Sequence, residues 1–192
     1  MRCLACGAFS WQLVCAACQT KFLSPTPSKR ENRGCDVYSF YPYSEIQELL
    51  KHKYSPLGTS LYALLARRAF ASLGDYFVGV EEEIFIIGID DIPRRDFSHT
   101  ALLARELAKM NTRFLWLKQA LIAKNHTHYA GKSLAYREEN PRNFVWQGPR
   151  SGSAILIDDI ITTGTTLREA RDCVESQGLK VLFAVVLSDA RL

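Results

Sequence analysis

The stretch Ala154-Ile-Leu-Ile-Asp-Asp-Ile-Ile-Thr-Thr-Gly-Thr-Thr-Leu167 decides the fold. Its apolar run, Ala154 to Ile157, shows no polar alternation, the pattern of a strand buried on both faces in a parallel sheet covered by helices. A hydroxyl-rich turn around Gly164 follows, and then the apolar spacing of a helix over Thr166 to Ser176. Strand, turn and helix in that order place Asp158 and Asp159 at the carboxyl end of a central strand, where open parallel sheets bind ligands. Gly164 lets a ligand approach the backbone closely. Successive amides and hydroxyls at a helix N-terminus favour an anion. The stretch is thus suited to a phosphate although it lacks the lysine of nucleotide-triphosphate loops.

Outward from this stretch, the pattern repeats. Ile84 to Ile89 is a second short apolar run, and Val37 to Tyr41, Phe114 to Leu117 and Lys180 to Leu187 read as further strands. Apolar residues at helical spacing mark Tyr43 to Lys53, Leu57 to Leu73 and Thr100 to Met110, the last with a stripe of Leu102, Leu103, Leu107 and Met110 and with Ser98 as its cap. Gly178 stops the helix after the turn. Alternating strands and helices predict an α/β fold, a mostly parallel sheet flanked by helices. Two stretches depart from it. Ser24 to Gly34 is polar and rich in Pro and Ser, the composition of a linker. Lys118 to Gly152 is basic and nearly aperiodic apart from a helical turn at Leu134 to Glu139, which reads as a functional lid or loop.

With 192 residues, 47% of them hydrophobic and 23% charged, the chain accommodates one α/β domain and a small appended module. No apolar run approaches the roughly 18 to 20 residues of a membrane span, and the first residues lack a signal-peptide core, so a cytoplasmic location is expected. The net charge of +4 is unevenly spread. Residues 1–34 hold five Lys/Arg against one acid, and residues 94–150 hold eleven against four. These basic segments point to anionic partners, although charge runs are also common as solvated faces.

Cys3-x-x-Cys6 and Cys15-x-x-Cys18 are two knuckle-type pairs separated by eight residues. Four thiolates in so short a reducing-compartment segment suit a tetrahedral Zn²⁺ better than disulfides or a redox pair. Such a closed site is structural and contributes folding free energy that the segment cannot obtain from apolar burial. Phe9, Trp11 and Phe22 interleave with Arg2 and Lys21, a composition that suits either base stacking along a phosphate backbone or packing beneath the zinc. The candidate DNA contacts are Arg2, Trp11, Lys21, Lys29, Arg30, Arg33, Lys132 and Arg137. Cys35 and Cys173 read as ordinary core residues.

Hydrophobic-Asp-Asp also occurs in nucleotide hydrolases, and Ala130-Gly-Lys-Ser133 superficially matches their phosphate loop. That match fails because His126 stands where the loop needs its first glycine. Instead, four apolar residues, two acids and Thr-Thr-Gly-Thr-Thr resemble the phosphoribosyl-pyrophosphate motif of type I phosphoribosyltransferases. The resemblance implies that Asp158 and Asp159 hold the ribose hydroxyls and that Thr162, Thr163, Gly164, Thr165 and Thr166 cradle the 5′-phosphate. Ile89-Asp-Asp-Ile-Pro-Arg-Arg95 resembles the family's pyrophosphate loop, with Arg94 and Arg95 as the anion contacts. Mg²⁺ is implied as the ion bridging pyrophosphate and ribose oxygens.

A zinc knuckle ahead of such a domain is similar to the ComF family of competence proteins, as are His52-Lys-Tyr54, the Pro-Arg-Arg loop before a Leu-Leu-Ala helix, and Arg137 to Asn140. Arg95-Asp-Phe-Ser-His99 departs from the family's usual Arg-Gly-Phe-Asn-Gln. The resemblance implies a zinc-binding knuckle at 1–23, a linker at 24–34 and a phosphoribosyltransferase-like domain at 35–192. It further implies a competence protein required for natural transformation, handling incoming single-stranded DNA in the cytoplasm. Its partners would then include phosphoribosyl pyrophosphate and other competence proteins such as a DNA-translocating helicase. The alternative is a metabolic phosphoribosyltransferase acting on a nucleobase or amine. His126, His128 and Glu138 are weak candidates for its base, and no catalytic residue is assigned.

Overall fold

The apolar run of the opening stretch becomes the centre of the sheet. The computed structural model describes residues 1–93, 98–125, 136 and 139–191, and for Tyr54 and Asp75 the backbone alone. Its strands are β1 (Ser28–Asn32), β2 (Cys35–Ser39), β3 (Tyr41–Pro42), β4 (Ile84–Gly88), β5 (Phe114–Trp116), β6 (Leu121–Ala123), β7 (Phe144–Trp146), β8 (Gly152–Ile161) and β9 (Leu179–Asp189). The helices are α1 (Ala16–Phe22), α2 (Tyr43–Leu50), α3 (Gly58–Ala71), α4 (His99–Ala108) and α5 (Thr165–Ser176). The main sheet has the order β1-β2-β9-β8-β4-β5, with β3 also pairing β9. Its pairs are parallel except β1 with β2.

Side chains alternate across a strand, so one strand feeds two cores. Ile155 and Ile157 of β8 pack with Val185, Leu187 and the apolar faces of α3 and α4, including Leu61, Leu65, Leu103 and Leu107. Ala154 and Leu156 face the other way, onto Leu167, Ala170 and Val174 of α5. Coverage of both faces explains the unbroken apolar run. Ser98 caps α4 as its sequence position suggests, its Oγ accepting the Ala101 N–H at 3.1 Å.

Three findings differ from the sequence reading. β8 runs four residues past Ile157, because β9 extends to Asp189 and keeps pairing through Asp158↔Val186, Ile160↔Ser188 and Ile161↔Asp189. The stretch read as a linker holds β1, paired residue for residue with β2. As an edge strand with Lys29 and Glu31 exposed and no residue fully buried, it has no need of an apolar pattern. Within the aperiodic segment, β6 and β7 form an antiparallel pair too short for periodicity to reveal. That pair is tied to the carboxyl end of β4 by the Ala123 N–H on Asp90 Oδ1 (3.2 Å) and the Gln119 N–H on Asp91 Oδ2 (3.0 Å). Burial pushes the Asp91 carboxyl up to about 6, opposed by that Gln119 amide.

The cysteine knuckle does not stand apart. Cys3, Val14, Cys18 and Leu23 are buried in the same cluster as Leu61, Leu65 and Phe70. Arg68 of α3 donates to the Leu23 carbonyl at 2.8 Å and to Gln19 Oε1 at 3.3 Å, fastening the knuckle to the domain.

Candidate functional site

Past Ile157, alternation along β8 sends its two acids to opposite sides of the sheet edge. Asp158 joins Thr162, Thr163, Gly164, Thr165 and Thr166 in lining an open cleft. Its Oδ1 accepts the Asp159 N–H at 2.8 Å. Gly164 precedes α5 with φ +77°, a left-handed conformation that glycine adopts without strain. The Thr163 and Thr165 hydroxyls lie 3.1 Å apart. The turn thus sets hydroxyls and a helix N-terminus around one hollow, with a carboxylate at its rim.

Asp159 faces the α3 and α4 side and meets cations there. Its Oδ2 lies 3.1 Å from Lys53 Nζ and 3.5 Å from His99 Nε2, and it accepts the buried Tyr62 hydroxyl at 3.5 Å. Lys53 belongs to a 3-10 turn, Lys51–Tyr54, that is packed against the start of α3. A Cβ on Gly58 would stand 2.7 Å from the His52 carbonyl oxygen and 2.8 Å from that of Lys53, so only glycine allows the close approach. His99 is the first residue of α4, where the Ser98 cap fixes its position.

These surroundings split the pair electrostatically. Burial favours the neutral form of both carboxyls, and for Asp158 the negative charge of Asp159 adds to it, pushing the group well above the usual range. For Asp159 the burial effect is outweighed by His99 and Lys53, which bring its carboxyl down to about 2. Asp159 therefore gives up its proton before Asp158, and the two carboxyls titrate in coupled steps. His99, Asp158 and Asp159 also present ligand atoms within 4.8 Å of one another, close enough to share a cation. The ammonium already on Asp159 disfavours a second cation there, which leaves Asp158 the more available carboxyl of the two.

The second site is the knuckle. Its four sulfurs lie within 4.8 Å of one another, and Cys6 and Cys15 are 3.8 Å apart. Zn–S bonds of about 2.3 Å in a tetrahedron put sulfurs about 3.8 Å apart, so the set fits that ion. Cys3 Sγ accepts N–H bonds from Cys15 at 3.2 Å and Ala5 at 3.4 Å, which favour a thiolate. Phe9 and Trp11 do not pack beneath the sulfurs. They are 73% and 88% exposed and meet edge to face at 5.6 Å.

The basic candidates divide. Arg2 is exposed and donates to the Gly7 carbonyl, and Lys21 lies over the Phe22 ring at 5.0 Å. Lys29 is paired with Asp36 at 2.8 Å. Arg33 is exposed with φ +51°, and its carbonyl accepts Arg171. Arg30 is a correction: it is half-buried, paired with the buried Asp189 at 2.9 Å, and donates to the Thr162 carbonyl at 3.0 Å, so it presents no open cation to DNA. Arg94, Arg95, His126, His128, Lys132, Arg137 and Glu138 lie outside the described residues.

Sequence reasoning missed Lys53, Tyr62 and His99 as neighbours of Asp159. His52-Lys-Tyr54 carried part of the family resemblance, but nothing in its spacing placed it beside an acid 106 residues away.

No family model matches the chain. A curated protein, the transcriptional regulator GfcR of Halorubrum lacusprofundi, is 44% identical over 50 residues, which cover 26% of this chain and 23% of that protein's length. The chain thus spans about a quarter of the curated relative it matches. Among solved structures it is similar to hypoxanthine phosphoribosyltransferase from Trypanosoma cruzi (TM-score 0.45, 18% identity, 69% of this chain and 70% of that one). It is also similar to orotate phosphoribosyltransferase from Aeropyrum pernix (0.44, 16%, 91% and 80%) and to adenine phosphoribosyltransferase from Saccharomyces cerevisiae (0.42, 17%, 91% and 89%).

Proposed function

We propose that the chain binds phosphoribosyl pyrophosphate at the carboxyl edge of β8 and acts as a ComF-type competence protein, handling single-stranded DNA during natural transformation. The observation that carries the first part is the shared cleft of Asp158 and the Thr162–Thr166 turn. Such a cleft takes a monoester phosphate in the turn and leaves a carboxyl group for the hydroxyls of the sugar attached to it. A ribose lying across the strand edge would meet Asp158 in the cleft, with Asp159 behind it on the other side of the strand. The negative charge held on Asp159 would favour the positive charge that develops at C1 as pyrophosphate departs. Arg94 and Arg95 would offset the charge of the leaving group. Mg²⁺, held by Asp158 and the ligand's oxygens, would neutralise the pyrophosphate. Zinc in the four-sulfur knuckle would hold the N-terminal segment folded.

For the DNA role, support comes from the exposed Phe9–Trp11 pair, whose Phe9 pairs through the backbone with Arg2, an arrangement suited to stacking on unpaired bases. Two measurements test the reading. Saturating phosphoribosyl pyrophosphate with Mg²⁺ should raise the melting temperature, and Asp158→Ala/Asp159→Ala should abolish the rise. Single-strand affinity in a gel-shift series should fall steeply with salt, because bound phosphates release counterions. No melting shift would contradict the site, and no DNA binding at low salt would contradict the competence role. Pyrophosphate release accelerated by a nucleobase would instead favour a metabolic transferase.

A further inference from the structure

We propose that Arg30 and Asn32 of the edge strand β1 are positioning residues for the phosphate turn, fixing which way its amides face. The inference rests on the reading that this turn takes a 5′-phosphate. β1 lies on the far side of β2 from the sheet centre, yet two of its side chains reach the turn across 132 residues of sequence. Arg30 Nη2 donates to the Thr162 carbonyl at 3.0 Å and Asn32 Nδ2 to the Gly164 carbonyl at 3.3 Å. Arg30 is itself held, because its Nε faces the buried carboxylate of Asp189 at 2.9 Å, and β9 at that point pairs with the end of β8.

The described peptide bonds include no cis form, and in a trans peptide the C=O and the following N–H point in opposite directions. Holding the Thr162 and Gly164 carbonyls toward β1 therefore turns the N–H groups of Thr163 and Thr165 away from it. Both residues line the cleft, and their hydroxyls meet there at 3.1 Å. The Gly164 carbonyl also accepts the Arg168 N–H at 2.9 Å, which aligns it with the axis of α5 and leaves the Thr165 amide projecting from the helix start. A Cβ on Gly164 would collide with the Asn32 side-chain amide, so the turn is seated directly on β1. The arrangement joins a segment only six residues beyond α1 to the phosphate end of the site.

The test uses the full chain and two probes for opposite ends of the ligand, ribose 5-phosphate and inorganic pyrophosphate with Mg²⁺, titrated by calorimetry. Asn32→Ala removes one carbonyl anchor. Arg30→Lys keeps a charge for Asp189 but gives up the fork that reaches both partners. Each should weaken ribose 5-phosphate about tenfold, the scale of one hydrogen bond to a preorganised loop, while leaving pyrophosphate affinity and the ligand-free melting temperature in place. Unchanged ribose 5-phosphate affinity in both variants would overturn the positioning role but not the site. Equal loss for both probes would overturn it in favour of general structural support. Wild-type protein that takes no ribose 5-phosphate would overturn the underlying reading before any substitution is made.

Discussion

The knuckle and the β8–α5 turn both gather polar groups in a short span of chain, and they orient them in opposite senses. The knuckle gathers four sulfurs within reach of one point, supports that of Cys3 with two backbone N–H groups, and leaves Phe9 and Trp11 outside in solvent. The turn ties its carbonyls back to β1 and exposes hydroxyls and a helix N-terminus to an open cleft. A site whose donors converge is filled by one ion and then serves folding. A site whose donors diverge into solvent-reachable space suits a ligand that comes and goes. The same contrast separates Asp159, whose charge is already met by Lys53 and His99, from Asp158, whose carboxyl stands at the rim of the cleft.

The largest effect should come from the converging site. Stripping the metal with a chelator, or substituting Cys3→Ser, should unfold the knuckle, since structural zinc in small modules is worth about 10 to 16 kcal/mol of apparent binding free energy. Because Val14 and Leu23 share a core with α3, the domain should melt at lower temperature as well. Metal analysis should return one zinc per chain for the wild type and none for the variant. A chain that folds unchanged without metal would erase the distinction between the two sites.

Next in size is the pH response of Asp91. Its folded carboxyl sits at about 6 against an ordinary 3.8, so the native state retains the proton over a range where the unfolded state has lost it. Stability should therefore be greatest below about pH 4 as far as this group is concerned, and should fall as pH rises to 6, by at most about 3 kcal/mol. Denaturant midpoints for Asp91→Asn should lack that slope. An identical slope would relocate the effect to another group.

Lys53→Met should cost about 2 kcal/mol at pH 7, because it leaves the buried Asp159 with one cationic neighbour fewer. Its effect should vanish toward pH 2, where Asp159 protonates and the stabilisation carried by its depressed carboxyl is lost. Trp11→Ala should change stability by less than about 0.5 kcal/mol, as expected for a side chain in solvent. The same change should weaken single-strand DNA by about 1 to 3 kcal/mol if the ring stacks on a base. A stability loss without a change in DNA affinity would return the aromatic pair to a packing role.

Much of this was legible wherever chemistry and contiguity coincide. The strand, acids and turn are consecutive in sequence, so period and composition placed them together, and Cys-x-x-Cys spacing did the same for the sulfurs. Lys53 and His99 could not be read, because their relation to Asp159 depends on how α3 and α4 pack on the sheet. Arg30 suggested a surface cation because its strand is polar, whereas edge position alone explains that polarity and pairing with Asp189 explains the arginine. β6 and β7 escaped notice because three residues are too few to carry a period, and the tie through Asp90 and Asp91 is long range.

The central claim, that the diverging site is a clamp for a phosphate with a diol beside it, is most directly tested by competitive calorimetry with Mg²⁺ present. Phosphoribosyl pyrophosphate should bind at one site per chain, ribose 5-phosphate should compete for it, and ATP should not. Equal competition by ATP, or no heat from phosphoribosyl pyrophosphate at saturating concentration, would contradict the account.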